Sequence, residues 1–395
     1  MNRNLWFLTI CQGLFLTNNV AFIAINGLVG LALAPQAWMA TIPVAGYVVG
    51  GALSTGLVAM TQRRFGRKRS FQIGLVVAIV SALICAVAAL SKSFWLLSLA
   101  TLVAGYYNAN ANLYRFAAAE LSAPEWRDKA VSLVMAGGLI GGIIGPNLSA
   151  RTRGLMHTPF VGTYLTLAGV ALLSLIILSF VAFPRELTKT HVVAGRSLSV
   201  IIRQPVFIVA AATSALGYGV MNLLMAATPM AMQMNSLPFS DTAIVLEWHV
   251  IGMFAPGFFT GHLIRKFGAL PVMAVGVALN FLCIAIALSG VDLNQFLIAL
   301  FLLGLGWNFL FTGSTTLSLQ TYAPEEKDRA QGALNFFTFS MLALTSLSSG
   351  VLITTQGWNL LNYLSTGLMT VTAGAIMWLA FNQKKGLSTG HNVTS

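Results

Sequence analysis

Apolar runs of about twenty residues recur along the whole chain, and they constrain its fold more than any other feature. Each run is about long enough to cross a hydrocarbon layer of roughly 30 Å as a helix. With 57% hydrophobic and only 8% charged residues among 395, a soluble globule could not keep this surface from water. The runs lie near residues 5–33, 38–60, 71–90, 94–117, 130–150, 160–184, 205–232, 242–264, 269–289, 295–320, 332–355 and 360–381. The sequence therefore predicts an all-α membrane protein with about twelve transmembrane helices.

Positive charge is distributed unevenly between alternate loops. Cytoplasmic loops of membrane proteins retain Lys and Arg. If the N-terminus is cytoplasmic, nearly all loop cations fall on that side, and only Lys92, Arg151 and Arg153 fall outside. We therefore expect cytoplasmic N- and C-termini and a multi-pass protein of the cell membrane, the inner membrane if the source is bacterial. The net charge of +12 then reflects topology and attraction to anionic membrane lipid, and we expect no nucleic-acid partner.

The chain contains an internal repeat at an offset of about 200 residues. The segment YVVGGALSTGLVAMTQRRFG, which ends at Gly66, matches HVIGMFAPGFFTGHLIRKFG, which ends at Gly268. A second pair, APEWRDKA and APEEKDRA, has nearly the same offset. Two such blocks predict two homologous six-helix bundles. The predicted layout is an N-terminal bundle at 1–184, a cytoplasmic linker at 185–204, and a C-terminal bundle with a short cytoplasmic tail at 205–395.

The loop AMTQRRFGRKRS, its echo GHLIRKFG and the glycine-rich segment AGGLIGGIIGPNLSA form a distinctive set. Together they resemble the major facilitator superfamily, and the resemblance covers essentially the whole chain. The two loops are similar to that family's Gly-x-Leu-Ala-Asp-Arg-x-Gly-Arg-Arg loop, and the glycine-rich segment resembles the span-5 motif of its antiporter branches through Gly141, Gly145 and Pro146. The resemblance implies a transporter that exposes a midplane site alternately to each side of the membrane. The residues themselves indicate close helix packing at this glycine run.

The two gating loops depart from the family pattern at one position. Arg63 and Arg265 stand where the family usually has an aspartate that latches the outward-open state. One interpretation is a latch whose ion pair has its charges reversed, so that each arginine pairs with an acid of its own half. The alternative is that both arginines only follow the positive-inside rule. The candidate acids are Glu120, Glu125 and Asp128 for Arg63, and Glu325, Glu326 and Asp328 for Arg265. The predicted gating residues are Arg63, Gly66, Arg67, Asp128, Arg265, Gly268 and Asp328.

Polar side chains interrupt spans 1, 4, 7 and 10, which the resemblance places around a central cavity. In NANANLYR, a helix puts Asn108, Asn112 and Arg115 on one stripe and turns Asn110 away. Facing lipid, these groups would leave unsatisfied donors, so we expect them to face water and substrate. Two alternatives stay open: asparagines that only join helices, and an arginine that reaches the lipid headgroups. The predicted substrate-binding residues are Asn18, Asn19, Asn108, Asn112, Arg115, Tyr218, Asn222, Trp307 and Asn308.

Acidic residues are almost absent from the predicted spans, with Glu247 as the exception. A carboxylate inside a span could couple transport to protons, and His249 nearby could titrate as well. The alternative is a glutamate that stays wet at the outer rim of the membrane. We therefore predict proton coupling through Glu247 and His249.

No enzyme motif is present: the chain has no phosphate-binding loop, no His-Glu-x-x-His and no nucleophile elbow. The spans also lack the clustered carboxylates or histidines that a metal would need, so we expect no metal and no cofactor. The sequence predicts a monomeric secondary transporter of a small organic solute. Span 5 favours export by proton antiport. The alternatives are uptake of a nutrient or vitamin by symport or facilitated diffusion, and a non-transporting sensor or assembly protein with the same fold.

Overall fold

In the part of the chain that it describes, the computed structural model contains helices joined by short turns and loops. It describes residues 3–36, 39, 42–183 and 195–390, without side-chain detail at 31, 146, 239, 240, 243 and 384–390. The chain is 87% helical, and no strand occurs in the described residues. The predicted all-α class is confirmed. Residues 185–194 of the predicted linker lie outside the described residues.

The first compact unit comprises Met1–Ala194 together with Gln331–Ala343. Its helices are α1 (Arg3–Leu33), α2 (Ile42–Leu90), α3 (Phe94–Ala111), α4 (Tyr114–Glu120), α5 (Arg127–Ala136), α6 (Gly138–Thr152) and α7 (Val161–Ser179), with a 3-10 turn at Pro124–Trp126. Helix α1 packs on α6 and α7, and α2 packs on α3 and α7. Apolar side chains of α1, α2, α3 and α7 form its core, in which the Phe22 ring contacts Tyr47 and Tyr164.

The second compact unit comprises Gly195–Ala330 and Leu344–Ser395. Its helices are α8 (Leu198–Ile202), α9 (Pro205–Met234), α10 (Phe239–Phe254), α11 (Gly257–Phe267), α12 (Ala269–Ser289), α13 (Leu293–Ser318) and the greater part of α14 (Lys327–Gly390). Helix α13 packs against α9, α10 and α12, so it is the central helix of this unit. The early part of α14 belongs to the first unit, and the sequence-based boundary between the bundles stays a prediction.

Nine of the described helical segments are long and apolar enough to cross a membrane. Two are too long for one crossing, because α2 has 49 residues, about 74 Å of helix, and α14 has 64. Each is divided by a glycine with φ of 78°, Gly66 in α2 and Gly357 in α14. Helices α3 and α4 together form one further, interrupted segment. The described helices therefore account for the predicted spans.

Equivalent glycines give equivalent backbone geometry in the two sequence halves. Gly66 has φ 78° and ψ 169°, and Gly268 has φ 89° and ψ 164°. Residues with a Cβ rarely adopt such angles, so both positions require glycine. In each half, one helix ends at this glycine and the next helix begins after it. The sequence repeat is thus visible in the backbone of each unit.

A second repeated glycine brings two helices into backbone contact. A Cβ added to Gly50 in α2 would lie 1.9 Å from the carbonyl oxygen of Leu102 in α3. At the matching position, a Cβ added to Gly252 in α10 would lie 2.6 Å from the carbonyl oxygen of Phe301 in α13. Small residues allow this approach between membrane helices. Both units thus contain the same kind of close helix crossing, α2 with α3 in the first and α10 with α13 in the second.

Candidate functional site: polar and aromatic clusters of the two units

An amide cluster lies in the first unit, where α1 meets α3. Asn19 Nδ2 donates to Asn108 Oδ1 at 3.2 Å, and Asn112 Nδ2 donates to the same oxygen at 3.1 Å. Asn108 is buried, whereas Asn19 and Asn112 are partly exposed. Asn108 therefore orients two amides that a ligand could reach.

The neighbouring Asn18 belongs to a different environment. Successive residues of a helix point about 100° apart, so Asn18 and Asn19 face different neighbours. Asn18 is buried and lines a small internal cavity together with Tyr107. The other lining residues are Phe22, Tyr47, Ala78, Ala82, Ala104 and Leu167. The structure thus places Asn18 inside the helix bundle, apart from the amide cluster.

The stripe predicted for span 4 is interrupted at its centre. Helix α3 ends at Ala111, and Asn112 caps it with its backbone N–H on the Asn108 carbonyl oxygen. The Asn112 side chain donates to that same carbonyl oxygen at 2.9 Å. The next backbone N–H, that of Leu113, donates to the carbonyl oxygen of Asn110, which is an i→i−3 bond and departs from the α-helical pattern. Span 4 therefore consists of two helices, α3 and α4.

Arg115 lies inside the protein. It is 2% exposed, its Nη2 donates to Asn335 Oδ1 at 3.0 Å, and its guanidinium lies 4.9 Å from the centre of the Phe116 ring. Asn335 in turn donates to the carbonyl oxygen of Ala109 at 3.5 Å. This geometry disagrees with an arginine that extends to the lipid headgroups.

An aromatic cluster lies in the second unit, where α9, α10 and α13 meet. The ring of Tyr218 contacts Trp307 and Phe311 edge-on, with both centroid distances 5.3 Å. Trp307 and Phe311 stack at 4.9 Å and 16°, and Phe254 contacts Trp307 at 5.8 Å. Tyr218 is the partly exposed member, and the others are buried. This cluster is a preformed aromatic surface with one accessible ring.

A hydroxyl pair lies beside this cluster. Asn222 Nδ2 donates to Thr345 Oγ1 at 3.1 Å and to Ser346 Oγ at 2.9 Å. Asn222 is partly exposed, and it follows Tyr218 by one turn of α9. A polar surface therefore adjoins the aromatic one.

Asn308 is fully buried between helices. Its Nδ2 donates to the carbonyl oxygen of Met253 at 2.7 Å, and its Oδ1 accepts from Thr260 Oγ1 at 2.7 Å. These bonds tie α13 to α10 and α11. They favour the alternative in which this asparagine joins helices, and its role in substrate binding stays a prediction.

The two residues predicted for proton coupling differ in their surroundings. Glu247 is exposed. His249 is fully buried, and its Nδ1 lies 2.7 Å from the carbonyl oxygen of Leu300, so that nitrogen donates. His249 Nε2 is buried and has no hydrogen-bond partner among the described residues.

In the first gating loop, Arg67 pairs with Glu120. Arg67 Nε donates to Glu120 Oε2 at 3.1 Å, and Nη2 donates to Oε1 at 2.5 Å. The same guanidinium also donates to Gln62 and Gln331. The side chain of Arg67 is 3% exposed, while Arg63 is exposed. Glu120 is therefore bound by Arg67 and not by Arg63, and the pairing of Arg63 with Glu125 or Asp128 stays a prediction.

In the second unit, Glu326 pairs with Arg196. Arg196 donates to Glu326 from its backbone N at 2.7 Å, Nε at 2.9 Å and Nη2 at 2.6 Å. These side-chain hydrogen bonds lower the pKa of Glu326 to about 2. Arg196 also donates to the carbonyl oxygen of Thr321. Glu326, one of the three acids suggested for Arg265, is therefore bound by Arg196, and the pairing of Arg265 with an acid of its own half stays a prediction.

The other predicted gating acids begin helices. Asp128 lies in the first turn of α5, and Asp328 lies in the first turn of α14. An acid is favourable there because the helix N-terminus carries partial positive charge. The two aspartates occupy matching positions of the sequence repeat.

The span-5 glycines lie directly against α1. A Cβ added to Gly141 would lie 2.5 Å from the carbonyl oxygen of Gly13, and one added to Gly145 would lie 3.0 Å from that of Thr17. These distances show close contact of α6 with α1. The side chain of Pro146 lies outside the described residues.

A comparison with known protein families decides the identity. The family model described as Major Facilitator Superfamily matches residues 5–246 and 216–392. The chain belongs to the major facilitator superfamily. It is therefore a multi-pass membrane transporter and not an enzyme.

Individual relatives agree with this assignment. The riboflavin transporter RfnT of Brucella anthropi is 36% identical over 365 residues, which cover 92% of this chain and 92% of the relative. The solved structure of the human organic anion transporter MFSD10 has a TM-score of 0.78 at 14% identity, covering 95% of this chain and all of that one. The E. coli fucose:proton symporter FucP has a TM-score of 0.74 at 14% identity, covering 94% and 98%. At this identity the two structures show the superfamily fold alone.

Two features of this superfamily member were not found from its sequence. Asn335, the partner of Arg115, and the hydroxyl pair of Thr345 and Ser346 all lie in predicted span 11. Polar residues within span 11 are the sequence feature that could have identified them, whereas the predicted binding residues come from spans 1, 4, 7 and 10 alone. Their partners depend on which helix faces meet.

Proposed function

We propose that the protein carries riboflavin, or a closely related flavin, into the cell across the cell membrane, which in a bacterium is the inner membrane. The observation that carries this proposal is the aromatic cluster of the second unit, with Tyr218 as its accessible ring. Flavins contain a flat, fused ring system, and flat heterocycles stack on aromatic side chains. The 36% identity to a riboflavin transporter supports the same substrate class.

The polar groups suit the rest of such a molecule. A flavin ring carries carbonyl and imide groups, and riboflavin adds a chain of hydroxyls. A side-chain amide can donate to the ring carbonyl groups. It can also donate to the hydroxyls of the chain and accept hydrogen bonds from them. Asn222, which lies in the same unit as the aromatic cluster, is a partly exposed amide of this kind. This unit thus offers both an aromatic surface and hydrogen-bonding groups to an uncharged solute.

Inward transport as a nutrient is the direction that matches a vitamin substrate. Only the resemblance of the span-5 glycines to the antiporter motif favours export. Gly141 and Gly145 contact the backbone of α1, which accounts for them as packing residues. They therefore give no independent support to export.

Coupling to protons is part of the proposal and rests on Glu247. Glu247 precedes Phe254 by seven residues, which puts both on one face of α10. Phe254 contacts Trp307, so the aromatic cluster lies about two helical turns along α10 from Glu247, on the same side of the helix. A carboxylate on that face can gain a proton when the substrate binds and release it on the other side.

The test is riboflavin transport by the purified protein in proteoliposomes. We expect saturable uptake that is faster when the outside is more acidic, and slower when the gradient is reversed. Glu247→Gln is expected to keep riboflavin exchange but to lose the response to the gradient. Absence of any riboflavin movement would refute the substrate. A full gradient response in Glu247→Gln would refute the coupling residue alone.

A further inference from the structure

One face of α9 carries both an aromatic and a polar group that a ligand can reach. Tyr218 and Asn222 are four residues apart in α9, so their side chains lie one above the other, with about 6 Å between Cβ atoms. Both are partly exposed. The supporting residues Trp307 and Phe311 are only 2% and 3% exposed. A ligand at this face would therefore touch Tyr218 and Asn222 together.

The Tyr218 ring is held rigidly. Its interplanar angles are 90° to Trp307 and 78° to Phe311, with both centroids 5.3 Å away. Edge-to-face contacts of this kind are favourable for aromatic pairs. The two supporting rings are themselves stacked. Tyr218 is thus fixed before a ligand arrives, which lowers the entropy cost of binding a flat ring.

Asn222 and Ser346 present complementary hydrogen-bonding groups. Asn222 uses Nδ2 to donate to the hydroxyls of Thr345 and Ser346, at 3.1 and 2.9 Å. This orientation leaves Asn222 Oδ1 as an acceptor. Ser346 Oγ accepts from Asn222 and retains its own hydrogen to donate. An acceptor beside a donor is the pattern that a hydroxyl group recognises, because a hydroxyl both donates and accepts.

We propose that Asn222, Thr345 and Ser346 bind the hydroxylated side chain of the flavin while Tyr218 stacks on its ring. This inference rests on the proposed function and adds the position of each part of the substrate. The Cβ spacing of about 6 Å along α9 corresponds to the reach of a chain of a few carbon atoms. The subsite therefore selects a flat heterocycle with a short polyhydroxyl chain over the same ring without that chain.

Binding of two flavins to the purified full-length protein tests the subsite. Riboflavin and lumiflavin share the ring, but lumiflavin has a methyl group in place of the hydroxylated chain. Quenching of flavin fluorescence measures the affinity for each. Ser346→Ala is expected to weaken riboflavin binding about threefold to tenfold, since it removes one hydrogen bond, and to leave lumiflavin binding unchanged. Tyr218→Leu is expected to weaken both flavins equally.

Matched controls separate this role from general damage. The Ser348 hydroxyl donates to the carbonyl oxygen of Leu344, so Ser348→Ala should change neither affinity. Tyr363 is 60% exposed, so Tyr363→Leu should also change neither. Thermal unfolding of each variant shows whether it is folded, and Asn222→Ser provides a second, smaller change in the same subsite.

The outcomes distinguish the two proposals. If the unmodified protein binds neither flavin, the proposed function fails and the subsite fails with it. If it binds riboflavin, but Ser346→Ala and Asn222→Ser keep its full preference over lumiflavin, only the subsite is overturned. Equal weakening of both flavins in Ser346→Ala would likewise overturn it, because the hydroxyl would then act on the ring or on the fold.

Discussion

Replacement of Gly50 by alanine tests the close crossing of α2 and α3. The added Cβ would lie 1.9 Å from the carbonyl oxygen of Leu102 and 2.8 Å from its carbonyl carbon. Ordinary van der Waals contact begins at 3.4 Å, so the two backbones must separate by about 1.5 Å. The obstructing atoms belong to a helix backbone and cannot rotate away as a side chain would. Overpacking usually costs about 1–3 kcal/mol, and we expect the upper end, about 3 kcal/mol.

Two further alanine variants give a graded series. At the repeat position, a Cβ on Gly252 would lie 2.6 Å from the carbonyl oxygen of Phe301, so the required separation is about 0.8 Å and the expected loss is smaller, about 1–2 kcal/mol. Gly56 lies in the same helix as Gly50, and nothing is within 4 Å of its added Cβ. Gly56→Ala should therefore gain up to about 1 kcal/mol from helix propensity.

Thermal unfolding of the purified protein, followed by tryptophan fluorescence in one detergent, measures the series. We expect the midpoint to fall most in Gly50→Ala, less in Gly252→Ala, and to stay or rise in Gly56→Ala. Riboflavin transport in proteoliposomes should fall in the same order. A midpoint of Gly50→Ala equal to that of the unmodified protein would refute the backbone contact. Equal losses in Gly50→Ala and Gly56→Ala would refute the steric explanation, since only one of them meets an obstacle.

Two ion pairs lead to further predictions. Arg67→Lys keeps the charge but loses the two-pronged contact with Glu120, and we expect a loss of about 2–3 kcal/mol, below the full 3–5 kcal/mol for breaking a buried pair. Thermal unfolding measures it, with the exposed Arg63→Lys as control; equal midpoints would refute the role of the pair. For Glu326, the pKa lowered to about 2 from 4.5 means that its ionised form stabilises the fold above pH 4.5 and loses this effect as pH falls towards 2. Glu326→Gln should therefore flatten the fall of the unfolding midpoint between pH 5 and about pH 3, and a profile parallel to that of the unmodified protein would contradict this.

The positions of the membrane helices and of the breaks between them follow from local properties of the sequence. A run of apolar residues of the right length becomes a helix in a membrane, because its backbone must satisfy its own hydrogen bonds there. The glycines at 66 and 268 mark the breaks between helices, since their backbone angles, φ 78° and 89°, suit no other residue. The same loops carry the resemblance to the superfamily, which the match of the family model confirms. The break within span 4 was not predicted, because apolar length and polar stripes do not show where the backbone hydrogen bonds change from i→i−4 to i→i−3, as they do at Leu113.

The partners of the polar groups were decided by the tertiary structure. Each residue along a helix turns about 100°, so a neighbour in sequence can face another part of the protein altogether. Arg63 and Arg67 are four residues apart and would share one face of a continuous helix, but the helix is interrupted at Gly66 between them, and Glu120 meets Arg67 and not Arg63. Arg115 meets Asn335, which is 220 positions away. The sequence alone determined which side chains could not face lipid. Only the packed helices decided which of them hold one another and which, like Tyr218 and Asn222, stay partly exposed, because that depends on the rotation of every helix against its neighbours.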